Sequence, residues 1–427
     1  MKTNPFTRRT GRVRLLFLSL IIMLTPAACA DRLDWQRFRG EEGQGATTTS
    51  VRPPLAVKWK LRLQAKGDIA RFFNPPIILD DTIYFGSADG NFYALDIESG
   101  YMRWVFKTGN RVNSIACGDE KNVYFGSDDG KVYAVSRRTG QLVWSYATGE
   151  LVQSLVMKYK DMIVFVTNEG AGYFLDTEGN LIFTIPNPNW SKYTFQIYKD
   201  TMYFAPADGR LLSGLSTFDI PERTYGWNLD PGVMYATWYS VPAVDADRVY
   251  MSTAAYNEDV LGYKFFALDR HDGSILWQAD GVSDFSDAFT MGDTYDLLEQ
   301  YIELLDYMAP SLWGDLVIYT AGDKKVRAFS KKSGFSVWER EFRFHTSSAT
   351  TVAGDRVYFG LDGSEEQYYA VTPQVEPAKF VCLSAADGRT LWDTPIEGRV
   401  LSAPVIAGKW VVFGTHQHVF YVLEEVF

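Results

Sequence analysis

The strongest constraint on the fold is a short motif, a glycine followed four positions later by a tryptophan, that recurs along this 427-residue chain. Glycine allows the backbone conformation that a tight turn needs. The first two copies lie 40 residues apart, and a repeat of that size indicates one supersecondary unit used several times. The copies are Gly100/Trp104, Gly140/Trp144, Gly273/Trp277, Gly334/Trp338 and Gly388/Trp392.

One repeat encodes four short β-strands. In the clearest copy, β-branched and aromatic runs alternate with turn residues such as Ala88-Asp89-Gly90, which is typical of hairpins. The predicted strands are 76–79, 82–86, 92–95 and 102–106. Such a four-stranded antiparallel meander is marginal by itself and must bury its faces against neighbouring copies.

Radial packing of these sheets gives a β-propeller. The aromatic residue of each fourth strand counts the blades, and seven are found as Trp104, Trp144, Phe183, Trp227, Trp277, Trp338 and Trp392. After Trp392 the chain supplies only three more strands, so we expect the missing fourth strand to be 55–61, which carries Trp59. The prediction is an all-β, eight-bladed propeller of four-stranded antiparallel blades, with the eight aromatic residues packed between blades. Closure by the N-terminal strand would remove open sheet edges.

The N-terminus has the pattern of a secretory signal. Basic residues precede the apolar run 15–24, which is too short to span a bilayer and is followed by small residues. Cleavage before Cys29 would leave a cysteine for lipidation, whereas cleavage after Ala30 would follow the Ala-x-Ala rule and discard it. We therefore expect a signal peptide over 1–28, a single propeller domain over 31–427, and an exported protein, periplasmic or anchored to the outer membrane.

Charge and cysteine content restrict the function further. The signal segment holds five basic residues and no acidic one, so its removal takes the net charge from −10 to −15. A chain with this net negative charge repels the phosphate backbone of nucleic acids, which argues against nucleic-acid binding. Cys117 and Cys382 fall in different predicted blades and are expected to be buried free thiols.

The repeat phrase Ala-Leu-Asp-x-x-x-Gly-x-x-x-Trp resembles the tryptophan-docking motif of the pyrroloquinoline quinone (PQQ) propeller superfamily. The resemblance extends from Trp35 to Leu423, and Trp35-Gln36-Arg37-Phe38-Arg39-Gly40 is similar to the Trp-x-x-Phe-Arg-Gly opening of secreted members. This motif is specific for the fold and says little about activity.

Two branches of that superfamily imply different functions. The quinoprotein dehydrogenases imply PQQ and Ca²⁺, but the sequence contains no Cys-Cys pair, no Cys-x-x-Cys-His and no acidic-plus-Asn cluster that can be assigned to calcium. His416 and His418 are two potential metal ligands without a third. A PQQ/Ca²⁺-dependent dehydrogenase and a propeller that binds a sugar or peptide stay as the alternatives.

The other branch, the BamB-type outer-membrane assembly lipoproteins, matches in blade number, length and signal peptide. This resemblance implies a monomeric, non-catalytic protein-interaction scaffold of the bacterial cell envelope, with no cofactor, catalytic residue or metal. Its expected partners are envelope proteins, including the β-barrel assembly machinery. Contact with a membrane is expected only through a lipid at Cys29.

Interruptions of the repeat suggest where a partner binds. Insertions occur at 253–263, at 363–379 and between Trp277 and Pro310, where 294–308 has helical periodicity. Because strand direction alternates, all three should emerge on one side of the disc. The candidate partner residues there are Tyr256, Glu258, Asp259, Glu299, Glu365, Glu366, Tyr368 and Tyr369. Alternatively, the segment around 283–307 only plugs the channel mouth and binds nothing.

Overall fold

The fold is an eight-bladed β-propeller, as predicted. The computed structural model describes residue 1 and residues 35–40, 42–62, 74–185, 190–206, 215–229, 238–257, 260–284, 309–363, 376–400 and 402–426. Its strands form eight sheets. No helix occurs within these ranges, and none of sufficient length and apolarity to cross a membrane is found there. The helix predicted over 294–308 lies outside them.

Each blade is built around four strands, named here in chain order. Blades 1 to 3 contain β3 (Ile77–Leu79), β4 (Thr82–Gly86), β5 (Asn91–Asp96), β6 (Met102–Lys107), β7 (Cys117–Gly118), β8 (Asn122–Ser127), β9 (Lys131–Ser136), β10 (Leu142–Ala147), β11 (Met157–Tyr159), β12 (Met162–Val166), β13 (Gly172–Asp176) and β14 (Leu181–Ile185). Blades 4 and 5 contain β15 (Trp190–Tyr198), β16 (Thr201–Pro206), β17 (Ser216–Asp219), β18 (Thr224–Asn228), β19 (Trp238–Tyr239), β20 (Ala243–Val244), β21 (Arg248–Asn257), β22 (Val260–Asp269) and β23 (Ile275–Asp284).

The remaining blades follow the same plan. Blade 6 contains β24 (Ser311–Trp313), β25 (Leu316–Thr320), β26 (Lys325–Ser330) and β27 (Ser336–Glu341). Blades 7 and 8 contain β1 (Ala46–Thr47), β28 (Thr351–Ala353), β29 (Arg356–Leu361), β30 (Lys379–Ser384), β31 (Thr390–Pro395), β32 (Val405–Ala407), β33 (Trp410–Gly414), β34 (Val419–Glu425) and β2 (Leu55–Arg62).

Blade 8 closes the ring with strands from both ends of the chain. β2 is its outermost strand and pairs antiparallel with β34, from Leu55 opposite Glu425 to Arg62 opposite Val419. The fourth strand that the C-terminal repeat lacks is therefore supplied by the N-terminal segment, as the sequence predicted. No covalent turn joins β34 to β2, which distinguishes blade 8 from the others.

Two sheets gain a fifth strand that the repeat does not encode. β1 adds in parallel to the innermost strand of blade 7, with Ala46 opposite Val352. β19 pairs with β21 in blade 5. Because β1 and β19 lie outside the four-strand repeat, the repeat pattern in the sequence does not predict them.

The alternating strand direction defines two faces of the disc. The first-to-second and third-to-fourth turns lie on one face, called the turn face here. The second-to-third turns and the connections between blades lie on the opposite face, called the insertion face. Each first strand therefore runs from the insertion face to the turn face, and each fourth strand runs back along the outer rim.

Buried aliphatic and aromatic side chains fill the space between adjacent blades. Phe92 of blade 1 stacks on Phe125 of blade 2 with ring centroids 3.9 Å apart, and Phe380 of blade 7 stacks on Phe413 of blade 8 at 4.5 Å. Cys117 and Cys382 lie in these layers as buried free thiols, as expected. Burial raises the pKa of the Cys382 thiol to about 12.

Candidate functional site

The central channel is occupied by the chain's own N-terminal segment, 35–47. Trp35 forms an antiparallel bridge with Ile78 of β3, its N–H donating to the Ile78 carbonyl at 2.7 Å. Since β3 runs towards the turn face, the segment enters the channel from the turn face. The Gly118 N–H then donates to the Gln36 carbonyl at 3.1 Å, which ties the segment to blade 2 as well.

Phe38 lies where the innermost strands converge. Its side chain is only 3% exposed and belongs to one apolar cluster with residues on the inner side of seven blades. These residues include Ile115, Leu155, Ile197, Val241, Ala309, Ala349 and Ala403. The ring of Phe38 thus fills the middle of the channel with apolar atoms.

Arg39 fastens the segment to blades 6 and 7. Its Nη1 donates to the Thr350 carbonyl at 2.7 Å. Its Nη2 donates to the carbonyls of Ala309 at 3.2 Å and Pro310 at 2.6 Å, and to the Ser311 hydroxyl at 3.0 Å. The side chain is 2% exposed, and the carbonyl oxygens provide the hydrogen bonds that a buried guanidinium requires.

Two glycines allow the segment to turn back inside the channel. A Cβ on Gly43 would lie 1.8 Å from the Gln196 amide nitrogen, and one on Gly45 would lie 2.0 Å from the Arg39 guanidinium. β1 then runs beside β28 towards the turn face and leaves the channel there. The resemblance to the PQQ propeller superfamily identified the Trp-x-x-Phe-Arg-Gly motif in the sequence, but it did not show that the motif lies in the central channel. The only local signal for that position is the glycine spacing at 40, 43 and 45.

The residues that the structure describes do not form a calcium site of the kind that a quinoprotein dehydrogenase would need. Within the described ranges no group of three His, Cys, Asp or Glu side chains could hold a metal ion. The middle of the channel is filled by Phe38, and the Arg39 guanidinium donates to backbone carbonyls beside it.

The predicted docking aromatics lie against the third-to-fourth turn of the next blade. Six indole N–H groups donate to the carbonyl of the residue that follows the repeat's Asp or Ser. The pairs are Trp59 to Ile97 (2.8 Å), Trp104 to Arg137 (2.8 Å), Trp144 to Thr177 (2.8 Å), Trp227 to Arg270 (3.0 Å), Trp277 to Lys331 (2.8 Å) and Trp338 to Ala385 (2.9 Å). The turn glycine packs on the ring face in each case; a Cβ on Gly140 would approach the Trp104 ring to 2.7 Å.

Blade 3 departs from this pattern together with its neighbour. Its aromatic is Phe183, which has no N–H, and the turn of blade 4 has Arg223 in the place of glycine. Arg223 adopts φ of 55°, like the glycines, and its guanidinium lies 4.4 Å from the centroid of the Phe183 ring. A cation–π contact thus replaces the glycine–indole contact. The sequence shows that Phe183 is a variant, but only the structure pairs it with Arg223.

Trp392 of blade 7 faces a blade without a covalent third-to-fourth turn. It packs instead against a cluster that includes Val51 and Leu55, which precede and begin β2. The N-terminal segment therefore supplies both the last strand of blade 8 and part of the surface that receives Trp392.

Of the predicted partner residues, only Tyr256 lies within the described residues. Tyr256 lies in β21 with its backbone opposite Leu261 of β22, and pairing continues to Asn257 opposite Val260. The insertion at 253–263 is therefore an extension of the hairpin. Glu258, Asp259, Glu299, Glu365, Glu366, Tyr368 and Tyr369 lie outside the described residues. In blade 5, β21, β22 and β23 each have 10 residues, whereas second strands such as β25 have 5.

The histidine pair lies in the second-to-third turn of blade 8. The Arg399 N–H donates to His416 Nδ1 at 2.9 Å, so this nitrogen is already an acceptor. Burial lowers the pKa of His416 to about 4, and the nearby Arg399 charge acts in the same direction. His418 has φ of 61° at the position of Gly90 and Gly130 in the first two blades. The hydrogen bond from Arg399 gives the His416 ring a structural role in the turn.

The turn face carries a cleft of about 610 Å³ between blades 1, 2 and 3. Gln36 reaches it from the channel, and turn residues of both charges surround it. Its lining includes Asp80, Asp119, Lys121, Arg137, Lys158 and Glu178. Arg137 Nη2 contacts Asp80 at 2.7 Å. Ligand pockets are mostly apolar, and this polar cleft differs from them.

A family model matches nearly the whole propeller. The family is described as outer membrane protein assembly factor BamB, and the matches cover residues 55–151, 129–288, 204–374 and 322–425. No curated protein matches the sequence.

Solved structures with the same architecture include non-enzymes and enzymes. BamB from Moraxella catarrhalis is 15% identical with a TM-score of 0.57, over 87% of this chain and 99% of its own. Quinohemoprotein alcohol dehydrogenase from Comamonas testosteroni is 15% identical with a TM-score of 0.67, over 93% of this chain and 81% of its own. A europium-containing methanol dehydrogenase is 12% identical with a TM-score of 0.62, over 92% of this chain and 98% of its own. At these identities the likeness establishes the fold alone.

Proposed function

The chain belongs to the family described as outer membrane protein assembly factor BamB, and from this membership we propose that it is a non-catalytic protein-interaction scaffold of the bacterial cell envelope. Its partners would be envelope proteins, including subunits of the β-barrel assembly machinery. The chain would be exported by its N-terminal signal, and its lipid anchor, if kept, would be attached at Cys29.

The main support for this proposal is that the chain's own N-terminal segment occupies the central channel. Phe38 and Arg39 fill the centre with an apolar ring and a guanidinium bound to backbone carbonyls. The resemblance to quinoprotein dehydrogenases implies a quinone held over the central channel, whereas this chain fills the channel with its own residues. Family membership and the filled channel therefore both favour a scaffold over an enzyme.

The insertion face is the surface that we assign to the partner. The ten-residue strands of blade 5 are four to five residues longer than strands such as β25 and β26, which at about 3.3 Å per residue amounts to roughly 13–17 Å of additional sheet. The acidic and tyrosine residues predicted for partner contact belong to sequence insertions in second-to-third turns and in a blade-to-blade connection, which is the reason for assigning them to this face. Tyrosine is favoured at protein interfaces because its ring is large and its hydroxyl can hydrogen-bond.

Affinity capture from native envelopes tests the proposal. The mature protein should retain a subunit of the barrel assembly machinery, and reversing charge with Glu258→Lys and Asp259→Lys should weaken that capture. The matched control is Glu222→Lys with Asp247→Lys, which makes the same charge change on exposed turn-face residues of blades 4 and 5. Deleting 283–307 should also weaken capture.

The outcomes separate the parts of the proposal. Equal capture by both charge variants, with circular dichroism unchanged, would remove the insertion face as the docking surface. Absence of any barrel-assembly subunit in the wild-type capture would contradict the scaffold role in assembly. Ca²⁺-dependent dye reduction with alcohols or sugars after PQQ is added would establish the enzymatic alternative.

Ligand binding is a second candidate because the turn-face cleft has a volume within the usual range for ligand sites, about 300–1,000 Å³. Its polar lining would suit a sugar or a polar peptide rather than an apolar molecule. Isothermal titration with oligosaccharides and short peptides tests it, and Arg137→Gln, within the lining, should abolish any heat that is observed.

A further inference from the structure

We propose that the rim of blades 1 to 3, at its turn-face edge, rests on the surface of the phospholipid bilayer to which the N-terminus is attached. This inference rests on the envelope attachment contained in the proposed function. It assigns an orientation: the turn face and this rim lie next to the lipid, and the insertion face points away from it.

The first observation is where the chain enters the fold. Trp35 comes into the channel from the turn face, bonded to Ile78 of blade 1, and Gln36 follows it beside Gly118 of blade 2. Cys29 precedes Trp35 by six residues, which can span at most roughly 20 Å. A lipid anchor at Cys29 therefore holds the turn face close to the membrane.

The second observation is a set of exposed apolar side chains at the start of consecutive fourth strands. Fourth strands begin at the turn face, so these residues lie at its outer edge. This set, called the apolar rim, consists of Tyr101 (79% exposed), Met102 (57%), Leu142 (50%), Val143 (52%), Leu181 (45%) and Ile182 (39%). Exposed apolar residues at the same edge of three consecutive blades favour an interaction site there.

The two observations select the same sector of the disc. The entry point lies beside blades 1 and 2, and the apolar rim covers blades 1, 2 and 3. Other blades also expose apolar residues, such as Phe335 and Val337 of blade 6, but blade 6 is diametrically opposite blade 2. A short tether at the entry point brings the apolar rim, rather than the opposite rim, down to the lipid.

The chemistry of a bilayer surface suits this edge. Apolar side chains of interfacial segments insert about 5–10 Å into the boundary between headgroups and acyl chains. The first-to-second turn of blade 2 carries Lys121 but also Asp119 and Glu120, so the attraction should come from apolar burial rather than from net charge. Binding should then depend little on salt.

Position-specific fluorescence quenching tests the orientation. The full chain is produced with its own N-terminus and reconstituted with vesicles of phosphatidylethanolamine and phosphatidylglycerol that contain brominated phosphatidylcholine. A thiol-reactive fluorophore is attached to Val143→Cys or to Val337→Cys. These valines stand three residues after the turn glycine of blades 2 and 6 and are 52% and 51% exposed, which makes them a matched pair. The native Cys117 and Cys382 are buried and should not be labelled. Labelling of the unsubstituted chain measures any background from the third cysteine, Cys29.

The expected result is quenching of the blade 2 label alone. Because interfacial apolar residues lie within about 5–10 Å of the upper acyl chains, the Val143→Cys label should lose roughly half of its emission and the Val337→Cys label little. A label at Glu169→Cys, an exposed residue on the insertion face of blade 3, should also be unaffected. Adding Met102→Gln, Leu142→Gln and Leu181→Gln should leave the protein attached but remove the quenching at Val143→Cys.

Each other outcome overturns the inference. Equal quenching at the two valine positions in a chain that floats with the vesicles would refute the orientation and leave the scaffold function intact. Unchanged quenching in the triple glutamine variant would show that the tether alone sets the contact. A chain that fails to float would refute both the membrane docking and the anchor, while partner capture from envelopes would still test the scaffold separately.

Discussion

The contact between turn glycine and tryptophan makes a quantitative prediction about Gly140. Substituting Gly140→Ala adds one methyl group at a residue with φ of 69°, and that methyl would lie 2.7 Å from the ring of Trp104. Gly149→Ala is the matched control, because Gly149 has φ of 80° in the following connection and nothing lies within 4 Å of its Cβ position. Both substitutions place an alanine at a positive φ, but only the methyl group at position 140 would clash with a neighbouring side chain.

The magnitude follows from these two terms. An alanine in the left-handed region costs about 1–2 kcal/mol relative to glycine, and this applies to both variants. A methyl that overpacks a filled site costs roughly 1–3 kcal/mol more. If the ring moves, the 2.8 Å bond from the Trp104 N–H to the Arg137 carbonyl is also weakened, at about 1 kcal/mol. We therefore expect Gly140→Ala to lower the free energy of unfolding by roughly 1–4 kcal/mol more than Gly149→Ala.

Urea unfolding measures this difference. Far-ultraviolet circular dichroism and tryptophan emission should be followed together, because coincident transitions are needed before a ring of eight blades can be treated as two-state. The slopes of the two variants should agree so that the midpoints can be compared. Equal destabilisation by the two alanines would refute the claim that the glycine is required by the neighbouring indole.

Three further predictions concern other parts of the fold. As a single substitution, Phe183→Trp should destabilise the protein, because the Arg223 side chain covers the ring at this position. Adding Arg223→Gly should recover most of the lost stability, and a double-mutant cycle measures this as a coupling energy. Arg39→Met should lower the free energy of unfolding by roughly 3–5 kcal/mol, because buried carbonyls lose a charged donor; a loss below about 1 kcal/mol in urea unfolding would contradict the proposed fastening of the segment. His416 has a pKa of about 4 in the folded protein, below its unfolded value of about 6.5. Its contribution to the free energy of unfolding is therefore fully present above pH of about 6.5 and is lost as pH falls towards 4. His416→Asn, which retains an acceptor for the Arg399 N–H, should flatten the decline of the melting temperature over that pH range, and an unchanged decline would argue against this assignment.

The blade number and the closure of the ring could be predicted because both depend on local, repeated patterns. Each repeat carries its own turn glycine and aromatic residue, and counting them up to Trp392 shows that one strand is missing. The strand containing Trp59 has the required pattern, and it pairs with β34. Local patterns also explain why the repeat acids lie in turns: Asp96 Oδ1 accepts the Ser99 N–H at 2.8 Å, and its pKa falls to about 2, chiefly through the Arg103 hydrogen bond.

The contents of the channel could not be predicted in this way. Arg39 binds Ala309, Pro310 and Thr350, which are about 270 to 311 positions away in the sequence. A contact at that separation leaves no periodic signal, and the motif that contains Arg39 occurs once. The contact between Phe183 and Arg223 could not be predicted either. In the sequence each residue is a deviation within its own repeat, and only the packing of blade 3 on blade 4 shows that the two deviations are paired.

The amino-acid sequence alone thus determined the repeat, the number of blades and the residues that dock one blade on the next, because these depend on short-range turn and strand preferences. The tertiary structure decided that the N-terminal segment fills the axis, that it enters from the turn face, and that the exposed rim of blades 1 to 3 shares that side. Those features arise only when eight similar sheets close into a ring and bring distant residues to a common centre.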